Sequence, residues 1–465
     1  MSDNALFDEF PQVSAKQWKE KIQYDLKGAD YSDTLVWESP EGIKVKPFYH
    51  SEDLSEVSKF KRSEVESWKI GQEIYAGNAT KANETALNTL SRGAESLIFL
   101  IPDESIDLMK LLGNINLEKT AVHFRFQFLA LAPIKGLLEF LRGKNCNIYL
   151  HFDIIGNLAR TGNWFHSMKE DHEILEKVYA ATKAIEGVSC LSVDLSLYQN
   201  AGANMVQQLA YSLSHAHEYV NHFQSETTSG VEESFPMTFK VAMGGNYFFE
   251  IAKLRALRWL WNSLTDAYGI APDCHILAFP SRRNKTLYDY NVNLLRTTSE
   301  CMSAILGGAN TVCNQAYDAI YHKDNEFGDR IARNQLVLLK EESYFDEAHK
   351  ASEGTYYIES LTKQLAEKAL VLFKQIEASG GFLEALKKGI IQQKIKESAA
   401  KEQQRFDEGQ TVLVGTNKFQ NSEDRMKGDL ELYPFVKQRS EKTLLEPIIE
   451  KRLAETQEQK RLDHE

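Results

Sequence analysis

Between about residue 70 and residue 345 the chain repeats one pattern eight times: a short run of β-branched and aromatic residues, then a segment of helical periodicity. The runs are Ile70–Tyr75, Ser96–Ile101, Ala121–Phe126, Asn147–Phe152, Ser189–Leu195, Met237–Met243, His275–Phe279 and Asn310–Asn314. The helical segments are Thr80–Ser91, Asp103–Leu111, Ala130–Arg142, Lys169–Ile185, Asn204–Phe223, Tyr247–Asp266, Asp289–Leu306 and Arg330–Tyr344. Strands joined through helices pair in parallel, and eight of each is the count of a closed barrel. An open, doubly wound sheet gives a similar alternation. A dinucleotide-binding sheet would carry a glycine-rich turn after its first strand. Here that turn is Tyr75-Ala76-Gly77-Asn78, with no GxGxxG. The expected fold is α/β: a (β/α)8 TIM barrel over 70–345, an N-terminal arm over 1–69 and a C-terminal helical extension over 346–465.

The helix Tyr247–Asp266 shows the packing logic. Phe248, Ile251, Leu254, Leu257, Trp261 and Leu264 recur at spacings of three and four, with Glu250, Lys253, Arg255 and Arg258 between them. Such a stripe lies on a sheet. Trp259 and Leu260 widen it, which suits either a second packed surface or a partner interface. In the arm, Ser14 is placed to cap a helix carrying Trp18, Ile22 and Leu26 on one face. Pro40-Glu41-Gly42 reads as a turn, and Ile43–Pro47 as an edge strand ended by proline. After the barrel, Glu359–Ala378, Phe382–Gly389 and Gln393–Glu408 read as helices, and Thr411–Gly415 as a short strand. The charged segment Ile448–Glu465 reads as a helix held by ion pairs or as a frayed tail.

Composition narrows the partners. A formal net charge of -12 over 465 residues gives a phosphate backbone or an anionic membrane little to hold. No nucleic acid and no membrane are therefore expected. The five cysteines are odd in number and none are at CxxC spacing, which points to free thiols in a reducing compartment. Met1–Phe10 holds Asp3, Asp8 and Glu9 and lacks the pattern of a signal peptide, so the cytoplasm is the expected location.

Barrel chemistry sits at the carboxyl ends of the strands. The polar residues there are Arg125 and Gln127, His151 and Asp153, Asp194, Ser196, Gln199 and Asn200, then Gly244-Gly245-Asn246, and finally Asn314 and Gln315. Arg125, Asp153 and Asp194 could form a catalytic ion-pair cluster with His151 as base, or a set of satisfied interior charges. Arg282, Arg283 and Lys285, beside Asn284, could grip a phosphate or form a solvated loop. His215 and His217 stand two apart on a helix, so both cannot face one metal, and His222 does not repair that. No metal site is expected.

Several stretches resemble the methylmalonyl-CoA mutases. Pro40-Glu41-Gly42-Ile43-Lys44-Val45-Lys46-Pro47-Phe48-Tyr49 looks like their N-terminal arm. Phe248-Phe249-Glu250-Ile251-Ala252-Lys253-Leu254-Arg255-Ala256 is similar to their helix after strand six. Arg296-Thr297-Thr298, Leu306-Gly307-Gly308, Ile331-Ala332-Arg333-Asn334, Glu341-Glu342-Ser343 and Gly354 to Thr362 follow in family order. So do Ile376-Glu377-Ala378, Gly380-Gly381, Glu397-Ser398-Ala399-Ala400 and Val414-Gly415-Thr416-Asn417-Lys418. The resemblance implies a barrel for coenzyme A thioesters, capped by adenosylcobalamin, in which radical chemistry rearranges an acyl skeleton.

The departures from that family are specific. Its Tyr-His pair precedes a Gln-Glu-Ala-Gly-Ala run; here the run is Gln199-Asn200-Ala201-Gly202-Ala203 and the pair falls on Ser196 and Leu197. Its Gln-Asn-Asp at strand four becomes His151-Phe152-Asp153. Its Arg-Gly-rich, Tyr-bearing clasp is replaced by charged residues running from Asp53 to Ser67. Its cobalt-binding Asp-x-His-x-x-Gly has only Asp273-Cys274-His275 as counterpart, with Ala278 in place of glycine, so no cobalamin-binding flavodoxin-like domain is expected. Ser196, Leu197 and His151 thus stand at vestigial positions, with no catalytic, cofactor-binding or metal residues expected. The resemblance implies a small, non-catalytic subunit of a heterodimeric mutase. Adenosylcobalamin and acyl-CoA would then sit on the large catalytic subunit, around which the arm wraps. Two other readings stay open: a catalytic acyl-CoA mutase barrel using a cobalamin domain in trans, and a CoA-binding or scaffold protein.

Overall fold

The computed structural model describes residues 11, 13–54, 65, 67–225, 234–437 and 441–465. Residues 1–10 and most of the stretch from the arm to the first strand lie outside these.

Eight parallel strands close on themselves: β1 (Lys69–Tyr75), β2 (Ser96–Ile101), β3 (Ala121–Phe126), β4 (Asn147–Phe152), β5 (Val188–Asp194), β6 (Ser234–Met243), β7 (Ala271–Pro280) and β8 (Thr311–Cys313). β8 pairs with both β7 and β1, which completes the (β/α)8 barrel. All eight strands fall where the sequence places them; β6 and β7 start earlier and pair along ten residues each. The two-residue period sorts each strand. On β3, Val122 and Phe124 join the core beneath the helices, while His123 and Arg125 meet side chains of other strands.

The outer helices are α1 (Ala79–Leu90), α2 (Leu108–Leu111), α3 (Leu131–Leu141), α4 (Met168–Thr182), α5 (Met205–Ser225), α6 (Tyr247–Ala267), α7 (Val292–Leu306) and α8 (Glu326–Val337). α2 is shorter than the expected Asp103–Leu111. Asp103 holds a turn by accepting from the Ser105 amide, and Asp107 caps the helix by accepting from the Lys110 amide. Capping side chains at both positions delay the helix start.

α9 (Tyr356–Ala378) packs against α5 and α6. This settles the wide stripe of α6: Leu260 and Trp261 are buried and Trp259 packs on the same core, so the stripe is interior packing and not a partner surface. α10 (Ile390–Asp407) follows. Thr411–Gly415 is a turn and not the expected strand. The Asn417 side chain accepts from the Leu413 amide and donates to the Thr411 and Phe406 carbonyls, so local bonds take the groups a partner strand would need. In the last segment only α11 (Glu455–Asp463) is helical. Its charges are not a solvated face: Arg452 and Glu458 form a 2.6 Å ion pair, both buried.

The arm divides in two. The hairpin of Trp37–Glu38 with Lys44–Val45 buries Ile43 and sets Trp37 on Phe249 of α6, while Tyr49 meets Tyr357 of α9. The helix Ala15–Asp25, closed by a Ser14–Gln17 capping box, buries none of its residues.

Candidate functional site

The barrel mouth gathers charge from five strand ends, and nearly every charge has an opposite partner. Glu73 of β1 pairs with Arg125 of β3. Asp194, ending β5, pairs with Lys240 of β6 at 3.0 Å and with Arg160 at 2.9 Å. Burial pushes the Asp194 carboxyl up, but Lys240, Arg160 and Arg125 outweigh that and hold it well below the usual carboxylate range. Asp153 accepts from the Asp194 amide at 3.0 Å, from the Gly156 amide at 2.7 Å as a helix cap and from the Tyr219 hydroxyl at 2.9 Å, and His215 Nε2 lies 2.8 Å away. Arg125, Asp153 and Asp194 therefore share one charged layer, but each has its own partners and the three do not pair with one another as a catalytic set.

Ser196 sits where a nucleophile would be noticed. Its hydroxyl donates to Asp194 and receives Lys240 Nζ at 2.9 Å. A working Ser–Lys dyad needs a neutral amine as base. Here the amine is paired with Asp194, and the serine proton rests on a carboxylate held ionised, which is a poor base. Leu197, the next residue, is buried in the main apolar core.

His151 is no free base either. Its Nε2 lies 3.0 Å from His123 Nδ1, and His123 stacks on Tyr149 and touches His275. Burial pushes the His123 imidazole down to about 3 and those of His151 and His275 well below the ordinary value. All three are neutral near pH 7 and fill the barrel axis below the charged layer. His275 is the histidine of Asp273-Cys274-His275; it packs 4.0 Å from Tyr149 and does not face outward toward a cobalt. The residues present do not fit an axial cobalamin ligand, and among the described residues no group of three or more His, Cys, Asp or Glu is arranged for a metal.

The remaining candidates are structural. Gln199 accepts from Lys253 Nζ at 2.8 Å, and Lys253 pairs with Glu250 at 2.5 Å in a fully buried set on α6. Asn200 accepts from the Ser281 hydroxyl and the Arg282 amide. Asn314 donates to the Ala332 carbonyl and to Gln335, and accepts from the Gln315 amide. Gln127, Gly245 and Asn246 are exposed. The basic loop does not present three cations together: Arg282 is exposed, while Arg283 and Lys285 are buried in ion pairs. Arg283 meets Glu402 of α10 at 2.5 Å, and Lys285 meets Glu300 of α7 at 2.7 Å with both groups buried. His217 contacts Glu377 and Tyr268, and His222 contacts Glu176, so these histidines serve separate pairs.

Sequence reasoning passed over Glu73, Lys240, Arg160 and Glu450. The first two had a signal, since each is a charge within a barrel strand, at the phase that faces other strands. Arg160 and Glu450 had none: they meet at 3.0 Å across 290 positions of chain.

A model of the methylmalonyl-CoA mutase family matches residues 101–463. The chain belongs to the methylmalonyl-CoA mutase family. Within it, the chain is 33% identical over 442 residues to the methylmalonyl-CoA mutase small subunit of Porphyromonas gingivalis, covering 90% of this chain and 71% of that one. It is 27% identical over 447 residues to the small subunit from Streptomyces virginiae, covering 89% and 72%. A methylmalonyl-CoA mutase of Cereibacter sphaeroides is 30% identical over 458 residues, covering 86% of this chain but 64% of its own length. The family stretches explain themselves as scaffold. Arg255, from the α6 stretch, pairs with Glu359, from the Gly354–Thr362 stretch. Gly202 takes φ +98° and lies where a Cβ would come within 2.5 Å of Ala399. Mutase-family residues matched in this chain thus hold the barrel and its extension together.

Proposed function

We propose that this chain is the small, non-catalytic subunit of a heterodimeric, adenosylcobalamin-dependent methylmalonyl-CoA mutase, located in the cytoplasm. The large subunit would interconvert methylmalonyl-CoA and succinyl-CoA and would hold both cofactor and acyl-CoA. One observation carries this reading: the charged groups at the barrel mouth, and Ser196 with them, are spent on one another. Ser196 and Leu197 stand where the family resemblance puts a Tyr-His pair; one is bound to Asp194 and the other is in the core. His151 is tied to His123. A site for radical rearrangement needs donors aimed at the thioester carbonyl; Ser196 donates to Asp194, Leu197 has no polar group, and His151 has its Nε2 against His123.

The surfaces support an assembly role. Relatives carry the names small subunit and large subunit, the large subunit of Streptomyces virginiae among them at 28% identity. The arm helix exposes Trp18 by 49% and Tyr24 by 80%, which offers aromatic surface to a partner. Residues 1–69 would serve as the partner-wrapping arm, 70–345 as the mutase-like barrel and 346–465 as its extension. No helix of the described residues is long and apolar enough to cross a membrane.

The test is to purify the chain alone and with a large mutase subunit, then measure native mass and turnover. The expected result is a one-to-one complex that turns over methylmalonyl-CoA, and an inert chain alone. Turnover by the chain alone, or with a free cobalamin-binding domain, would overturn the proposal.

A further inference from the structure

The segment from Thr443 to Glu455 crosses the carboxyl face of the barrel. Its backbone follows the loops in order. The Leu444 and Leu445 amides donate to the Gly162 carbonyl at 2.9 and 3.2 Å, and the Ile448 amide to Ala159 at 2.8 Å. Lys451 then donates to Asn200 at 3.0 Å and Leu453 to Arg283 at 2.9 Å. These carbonyls lie after β4, β5 and β7. Arg283 Nη1 returns a bond to the Lys451 carbonyl, and Arg452 Nη1 to that of Lys285. Gly162 is shaped for the crossing: it takes φ +81°, and a Cβ there would stand 2.6 Å from the Leu445 oxygen. Beyond the crossing, Glu458 accepts from the Leu287 amide at 2.7 Å and anchors the far end.

At the centre stands Glu450. One carboxylate oxygen accepts from Arg160 Nη1 at 3.0 Å and the other from Asn200 Nδ2 at 3.1 Å. Arg160 uses its other terminal nitrogen on Asp194 at 2.9 Å. Around this point are three cations, Arg125, Arg160 and Lys240, and the carboxylates Glu73, Asp194 and Asp153, the last accepting from the Asp194 amide and from the Tyr219 hydroxyl. Glu450 takes the Arg160 Nη1 donor, while Asp194 takes Nη2. Without Glu450 that donor of a partly buried guanidinium would lose its partner, which is costly in a low-dielectric site.

We propose that Thr443–Glu455 is a plug built into the chain, and that the Glu450 carboxylate is a tethered ligand of Arg160 and Asn200 that keeps the barrel mouth shut. While it is seated, Arg160 Nη1 and Asn200 Nδ2 are held by Glu450 and are unavailable to a small carboxylate or a docking domain. The proposal stands on contacts within this chain and is independent of the subunit assignment.

The test uses the full chain and Glu450→Ala, followed by hydrogen exchange at the Leu444, Ile448, Lys451 and Leu453 amides. Losing a charge-assisted bond pair predicts about ten- to a hundredfold faster exchange there, with β3 and β4 amides unchanged. Acetate, against chloride at equal ionic strength, is expected to restore much of that protection in Glu450→Ala and to do nothing to the unaltered chain. Glu450→Gln keeps the shape and blocks acetate entry, so it is expected to exchange faster without rescue; it serves also if the alanine variant fails to fold. Unchanged exchange in both variants, or identical effects of acetate and chloride, overturns the proposal. Turnover assays do not enter, so failure here is distinct from failure of the proposed function.

Discussion

The barrel axis holds three neutral histidines, and this makes the protein acid-sensitive by a calculable amount. His151 and His275 each contact His123, and burial holds each imidazole below its ordinary value, His123 at about 3. In the unfolded chain each would titrate near 6.5. A group whose folded value is depressed binds its proton first in the unfolded state, so stability present above about 6.5 is lost as pH falls below it. Going from about pH 7.5 to about pH 5.5 costs roughly 1.4 kcal/mol for each histidine that stays neutral in the fold, hence about 4 kcal/mol for three. That is a large part of an ordinary stability of about 5–15 kcal/mol. Urea unfolding at a series of pH values measures it. Carboxylates also contribute to acid loss, so the decisive quantity is a difference. His275→Gln keeps a polar group near Thr311, 3.4 Å from the native ring nitrogen, and removes one titration. Its stability is expected to fall less on acidification, by about 1.4 kcal/mol over that range. Parallel pH profiles for the variant and the unaltered chain would refute the reasoning.

Three further outcomes follow from the packing. Lys285→Met strands the Glu300 carboxylate in the core and is expected to cost about 3–5 kcal/mol, while adding Glu300→Gln should recover much of it; a double-mutant cycle by urea unfolding checks both. Gly202→Ala forces a Cβ against Ala399 at a positive φ and is expected to cost at least about 1–3 kcal/mol, read by thermal unfolding. Trp18→Ala, on a helix that buries nothing, should leave the chain's own stability unchanged yet weaken binding to the large subunit by about ten- to a hundredfold, measured by titration calorimetry.

The barrel was legible because its signal is local and redundant. Each strand is a run such as Ser96–Ile101, and each helix has its own periodicity, so eight repeats support one architecture. The count of eight and the missing glycine-rich turn after β1 together point to the closure of β8 on β1 that the fold shows. Errors arose where a side chain outcompeted the pattern. Asp107 shortened α2, and Asn417 turned an apolar Thr411–Gly415 into a knot of local bonds. At the mouth, residue positions were legible and their partners were not. Arg283 and Lys285 looked solvated because Glu402 and Glu300 come from distant helices. Arg160 and Glu450, which meet only after the chain has closed its barrel, left no trace in sequence. The charged run after Pro447 shows the same limit, since its Glu458 meets the Leu287 amide only in the fold.

The central claim is that no chemistry occurs at this mouth, where Ser196, Leu197 and His151 are committed elsewhere. The most direct measurement is turnover by the two-subunit complex when the large subunit's own Tyr-His pair has been replaced. With this chain intact and adenosylcobalamin and methylmalonyl-CoA saturating, the expected activity is zero above background. Residual turnover that vanishes when Ser196 or His151 of this chain is then altered would contradict the account.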